Sequence, residues 1–393
     1  MDIIKRHSLG IGIGKKSSPK LEPVRPLKLN VVVESPPVVF FGTPSQSSGA
    51  LFSCQLKVDV KDPSVTLDRF CMQFLALVTM KKPVSQHCPD CTTKVDELKK
   101  WTFSAGPLKL NKGEHSFPCS YMIPGHLPAT THGSLVTVEY RLSALAITST
   151  GDKVTFELPI KVCRAITPGN PKNSMRIFPP TNLTMHVTLP PVIHPIGDFK
   201  VEMKMTGVST KNKESQTRWR LRKFTWRIEE LERMVSPACP KHAAKVGGEG
   251  NGISHDNTTV VGSDDIKSGW KSDFDDGTIE CEFKAAVNPS LKPACDVSAA
   301  NGLEIKHLLV VEMVVAEEWA PLKKPTQITP TGAARVLRTQ FNLLLTERSG
   351  LGIAWDEEQP PMYEDVPASP PTYQINDIDM QELDEETNRL NLS

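Results

Sequence analysis

The chain has 393 residues, enough for two or three domains that each bury a core, and two is the expectation. Hydrophobic residues at 39% and charged residues at 23% suit a globular protein, while 33 prolines exceed the usual ~5% and argue against long helices. The net charge of +1 hides an asymmetry: residues 347–393 carry 12 acidic and 2 basic side chains, which leaves 44 basic and 33 acidic ones in the body.

A basic body with an acidic end is suited to an anionic surface such as a cytoplasmic leaflet, or it is simply a solvated surface with an acidic extension. Nothing in the pattern points to nucleic acid.

Residues 1–25 are expected to form a flexible basic arm. MDIIKRHSLG has no stretch of signal-peptide length, and the best apolar run, HLLVVEMVVA, is short and interrupted by Glu312. An intracellular protein is therefore expected, with its nine cysteines as reduced thiols and the triplets at Asn182 and Asn257 as chance glycan matches. GIGIGKK, from Gly10 to Lys16, looks like a phosphate loop but lacks the flanking strand and helix that would aim backbone N–H groups at an anion.

From Pro26 to Ala165 the hydrophobic pattern has period two, which places alternate side chains on one face of a strand. In LFSCQLKVDVK the inward set is Phe52, Cys54, Leu56, Val58 and Val60; in SLVTVEYRLSA it is Val136, Val138, Tyr140 and Leu142. KVTFELPIKV points Val154, Phe156, Leu158, Ile160 and Val162 inward. Pro168, Gly169, Asn170 and Pro171 then interrupt the strands, and a second sandwich is expected over residues 172–346. There Phe199, Val201, Met203 and Met205 alternate with charges, as do Ile279, Cys281 and Phe283. One-sided alternation without intervening helical periods predicts an all-β chain of two tandem immunoglobulin-like β-sandwiches.

HCPDC holds Cys88 and Cys91 at the spacing that lets two thiolates share a tetrahedral zinc, and CPKH repeats that spacing with Cys239 and His242. If their loops meet, the four make a structural zinc site; otherwise both pairs are coincidences in a chain with nine cysteines. Redox chemistry at CPDC is disfavoured, since no helix is expected after it to lower a thiol pKa. No cofactor is otherwise required.

TRWRLRKFTWRIEE sets Arg218, Arg220 and Arg222 on one strand face opposite Trp219 and Leu221, before Phe224, Trp226 and Ile228 resume in shifted phase, which predicts a bulge. The arginine row is either a contact for lipid headgroups or acidic cargo, or the solvated side of a strand. Residues 236–276, rich in Gly, Ser and Asp, are expected to form a mobile loop exposing Lys241, Lys245, Lys267 and Lys271. No paired carboxylates, nucleophile elbow or HExxH is found, so an enzyme is not expected.

Residues 347–393 read as a disordered acidic tail containing QPPMYEDVPASPPTYQ. A Pro-Pro pair holds polyproline II, with three residues per turn, so the tyrosine of Pro-Pro-x-Tyr falls on the face of the first proline. Aromatic grooves of WW domains grip this shape. Pro360, Pro361 and Tyr363 make one such ligand; Pro370, Pro371 and Tyr373 make a second, about 31 Å further along an extended chain.

Taken in order, KLNKGEHSFPCSYMIPGHLPAT, VTVEYRLSALA, FTWRIEE, LEIKHLLVVEMVV and GLGIAWDEEQPPMYEDVP resemble the fungal arrestin-related trafficking adaptors, the α-arrestins. The resemblance implies two arrestin-like sandwiches that recognise a membrane transporter as cargo. It also implies PPxY motifs that recruit a Nedd4/Rsp5-type HECT ubiquitin ligase through its WW domains, with ubiquitin transferred to cargo before endocytosis and vacuolar sorting. Such a protein is cytoplasmic and recruited peripherally to plasma membrane, endosomes or Golgi. A retromer-like coat or sorting subunit is the alternative on the same fold, and it would not need the tail.

Overall fold

The computed structural model describes residues 26–299 and 302–347. Among them, helix is confined to a single α-turn, Pro89–Thr92, and two 3-10 turns, Pro240–Val246 and Pro289–Leu291; the rest is strand and connection. The all-β expectation holds because the alternating side chains find facing layers.

In the first half, a 31-residue strand, Ala50–Met80, does more than the short expected strand. Its early part pairs with Leu27–Val33 and Leu108–Ile123, and its late part with Thr93–Thr102 and Val136–Thr148. Phe52 and Phe74 would stand about 70 Å apart along straight strand. Their ring centroids lie 5.6 Å apart, so the strand folds back on itself. The pairing is irregular between Val60 and Ser64, where Pro63 has no N–H for the ladder. One strand thereby supplies both layers of a core containing Phe52, Leu56, Phe70, Met72, Phe74, Tyr140 and Leu142, each 2% exposed or less. Burial of side chains this size stabilises by roughly 1.5–3 kcal/mol apiece.

In the second half, a five-stranded sheet in the order Lys172–Ile177, Thr184–Leu189, Asp198–Thr206, Thr278–Ala286, Lys271–Asp273 covers a six-stranded sheet built on Ser215–Pro237 and Glu304–Pro321. Val201, Met203 and Ile279 from one sheet meet Leu221, Val311 and Met313 from the other. Phe283 fits edge-on to Phe224, with centroids 5.1 Å apart. The expected inward residues are buried, with Phe156, Leu158 and Phe199 only partly so.

One finding corrects the sequence reading of the second half. Residues 236–276 are not a loop: Gly252–Ile266 is a 15-residue strand paired with Phe224–Pro237 along its length. Its β-branched centre, Thr258 to Val261, is diluted in composition by the surrounding Gly, Asp and Ser, whereas the neighbouring strand supplies the ladder it needs. Lys245 accordingly sits in the 3-10 turn and Lys271 in a short strand. In the first half, CPDC itself forms a single helical turn, Pro89–Thr92, and the strand Thr93–Thr102 follows it, so no helix continues beyond the motif, as expected.

Ser215–Pro237 also leaves its own sheet partners' core: Met234, with Ala294, Val297, Leu303 and Ile305, packs in the first hydrophobic cluster. Two residues earlier Glu232 accepts hydrogen bonds from Ser134 N (2.6 Å), Ser134 Oγ (2.7 Å), Leu135 N (2.8 Å) and Val136 N (3.1 Å). A Cβ at residue 133 would lie 2.5 Å from the Glu232 Oε1 atom, so Gly133 permits this close approach.

Candidate metal centre

Cys88 and Cys91 belong to the connection between the antiparallel strands Ala50–Met80 and Thr93–Thr102, whose last paired residues are Thr79 and Thr93. Cys239 and His242 belong to the connection between Ser215–Pro237 and Gly252–Ile266, which closes at Pro237 and Gly252. Each candidate pair thus sits in the tip of a hairpin. Each tip is a tight turn: Cys91 N and Thr92 N both donate to Cys88 O, at 3.1 and 3.0 Å, and His242 N donates to Cys239 O at 2.8 Å. Pro89 and Pro240, at the first helical position after each cysteine, fix φ where no backbone N–H is required.

The two tips, 151 residues apart in sequence, meet. Cys88 Sγ lies 3.7 Å from Cys239 Sγ, and Cys91 Sγ lies 3.6 Å from His242 Nδ1. Cys239 Sγ and His242 Nδ1 are 3.2 Å apart, and all four ligand atoms fall within 4.8 Å of one another. Cys91 and Cys239 are buried, Cys88 and His242 half-buried. The hydrogen bond with His242 draws the Cys239 thiol down to about 6, helped by Cys91 and Cys88 and opposed by burial. A thiol so lowered spends much of its time at neutral pH as thiolate, the form that binds metal.

Contacts invisible in the sequence hold the tips together. Ser236 Oγ, almost fully buried, donates to Lys82 O at 2.8 Å, and Lys241 Nζ approaches Asp90 Oδ2 at 3.9 Å. Neither pair has a spacing signal, because each joins residues about 150 positions apart.

The arginine row has a different outcome. The ladder to Glu304–Pro321 shifts between Leu221 and Lys223, as the broken phase predicts. Arg218 is nonetheless not on an outer face: it is 8% exposed, its Nε donates to Glu318 Oε2 at 3.1 Å, and its guanidinium stacks 4.4 Å from the Phe274 ring centre. Arg222 reaches Glu318 Oε1 at 2.8 Å and Arg220 approaches it at 3.7 Å, both half exposed. Glu318, 2% exposed, draws the row inward, since a buried carboxylate must be paired. Of the three, only Arg220 and Arg222 retain surface for a lipid or cargo contact. Pro360, Pro361, Tyr363, Pro370, Pro371 and Tyr373 lie outside the described residues, as do GIGIGKK and the N-terminal arm.

Among the described residues no helix is long and apolar enough to cross a membrane. A family model for LDB19, described as arrestin N-terminal-like, matches residues 70–246. An uncharacterized protein of Schizosaccharomyces pombe is 38% identical over 354 residues, covering 89% of this chain and 90% of its own length. A second S. pombe protein is 31% identical over 375 residues, covering 93% of this chain and 99% of its own length. Protein LDB19 of Saccharomyces cerevisiae is 23% identical over 684 aligned residues, covering 92% of this chain and 83% of its own length.

Proposed function

The chain belongs to the arrestin-like family, among the fungal arrestin-related trafficking adaptors, and from that premise we propose that it links a WW-domain HECT ubiquitin ligase to a membrane transporter. The observation that carries the ligase half is the pair of Pro-Pro-x-Tyr motifs, Pro360–Tyr363 and Pro370–Tyr373, placed after the last β-rich segment in an acidic stretch. In the polyproline II form that a WW groove accepts, a tyrosine at this spacing falls one turn after the first proline, so one groove holds proline while a neighbouring pocket takes the ring. Two sets on one chain turn the second contact into an intramolecular one, which raises avidity ~10²–10⁴-fold where a partner has adjacent WW domains.

In this reading the β-sandwich body selects the cargo. The basic excess of that body draws it toward an anionic membrane face, and Arg220 and Arg222 are the part of the arginine row left to take part. Ubiquitin passes from the ligase to the cargo, which is then internalised or sorted. The adaptor itself supplies binding surfaces rather than chemistry.

The test is capture of the full chain on tandem WW domains, comparing wild type with Tyr363→Ala, Tyr373→Ala and the double change. Each single change is expected to reduce capture in part and the double to abolish it. Undiminished capture of the double variant would remove the ligase half of the proposal and leave the coat or sorting subunit as the better reading. In cells, the double variant is expected to leave the cargo transporter at the surface under the stimulus that normally clears it.

A further inference from the structure

We propose that Cys88, Cys91, Cys239 and His242 bind one structural zinc ion that fastens the tip of the first half's long hairpin to the tip of the second half's. The warrant is the geometry. Tetrahedral zinc with Zn–S near 2.3 Å and Zn–N near 2.0–2.1 Å sets its ligands about 3.8 Å apart for sulfur pairs and about 3.5 Å for sulfur–nitrogen pairs. The distances found are 3.7 Å for Cys88 Sγ to Cys239 Sγ and 3.6 Å for Cys91 Sγ to His242 Nδ1. Cys239 Sγ and His242 Nδ1 stand closer, at 3.2 Å, and all four atoms fall within 4.8 Å of one another, so four side chains from two separate turns converge as one tetrahedral site requires.

The donor set decides which metal. Three sulfurs and one imidazole nitrogen suit zinc, whereas magnesium and calcium take oxygen ligands and copper(II) prefers tetragonal nitrogen and oxygen. Four protein ligands leave no position open for water or substrate, which makes the ion structural. On binding, cysteine thiols that are still protonated release their protons to solvent and coordinate as thiolates, and His242 coordinates as neutral imidazole through Nδ1.

The place of the site explains what the ion does. The connections 81–92 and 238–251 are hairpin tips at the ends of long strands, beyond the apolar contacts that fix the strands themselves. Cys91, Cys239 and Ala243 are the buried hydrophobic residues of these two segments, and side-chain bridges from Ser236 and Lys241 reach across. A four-coordinate ion joins residues far apart in sequence, where closing a long loop costs the most chain entropy, and so holds the two halves at one angle.

The experiment is metal analysis of the full chain purified in reducing buffer without chelator, followed by cobalt substitution and chelation. About one zinc per chain is expected, and cobalt(II) in its place should give the absorption of a tetrahedral thiolate site. Cys88→Ser with Cys91→Ser removes two of the four ligands and should lower zinc affinity by more than the roughly 10–100-fold that loss of an outer-shell partner alone costs. His242→Cys, which offers a fourth thiolate, should keep the stoichiometry and move the cobalt spectrum toward an all-sulfur site. Should the double serine variant fail to fold, chelation of the wild-type chain still decides: new protease cuts within 81–92 and 238–251, reversed by adding zinc, support the proposal. A chain that stays metal-free when supplied with zinc, a Cys88–Cys239 disulfide in the reduced preparation, or unchanged zinc affinity in the double serine variant would overturn it. Capture on WW domains is expected to survive loss of the zinc, so this result and the ligase result can fail separately.

Discussion

Glu232 and Glu318 are equally buried, each 2% exposed, and each faces a problem that a protein interior punishes, a carboxylate without bulk water. Glu318 is met by charge: three arginines of the strand Ser215–Pro237 converge on it across an antiparallel ladder that shifts register beside Arg222. Glu232 is met without a cation. Backbone N–H groups of Ser134, Leu135 and Val136 and one hydroxyl point at it from a segment about a hundred residues away in sequence. The first arrangement ties neighbouring strands; the second ties the two halves of the molecule, since Glu232 comes from the later half and its donors from the earlier.

Glu232→Ala is then expected to be the most damaging single change away from the candidate metal centre. It leaves three backbone donors facing a void, and a loss of about 3–5 kcal/mol, read as a lower urea midpoint, is the expected cost. Glu318→Gln should cost less, about 2–3 kcal/mol, because Arg220 and Arg222 are half exposed and can turn to water, leaving only Arg218 stranded. A larger loss at Glu318 than at Glu232 would break the comparison.

A pH measurement sharpens it. His307, 1% exposed, bonds Asp296 Oδ1 through Nδ1 at 2.7 Å and lies 3.3 Å from Glu230 Oε2 through Nε2. Burial pulls its pKa down, but the hydrogen bonds to Asp296 and Glu230 outweigh that and hold it above the ordinary 6.5. The protonated ring is thus favoured in the folded state. Its contribution is fully present below the unfolded pKa and is lost as pH rises through the raised one. Stability is therefore expected to fall upward from about pH 6.5, and the fall should vanish in His307→Gln, in urea unfolding at a series of pH values. The smallest effect belongs to Arg220→Ala: its nitrogen is 3.7 Å from Glu318 and half exposed, so a change within about 0.5 kcal/mol is expected.

Much of this was legible in the residues. Alternation fixes which side of a strand is apolar, and the inward sets at Phe52 to Val60 and Val136 to Leu142 are buried as the pattern requires. The phase break after Leu221 announced a ladder irregularity. The strand Gly252–Ile266 was not legible, because its residues are mostly indifferent and its pairing is decided by the neighbour it lies against. Arg218 was misplaced for a related reason. Local alternation treats a charge as outward, and only the partner Glu318, a hundred residues on, makes an inward charge tolerable.

Short-range order, therefore, was set by the sequence alone: strand faces and the turn chemistry of the Cys-x-x-Cys and Cys-x-x-His tips depend on residues within a few positions of one another. Only tertiary structure could bring Cys88 and Cys91 to Cys239 and His242, or Glu232 to Ser134. Such meetings depend on how long strands bend and stack, and that is decided by burial summed over the whole core rather than by any local spacing.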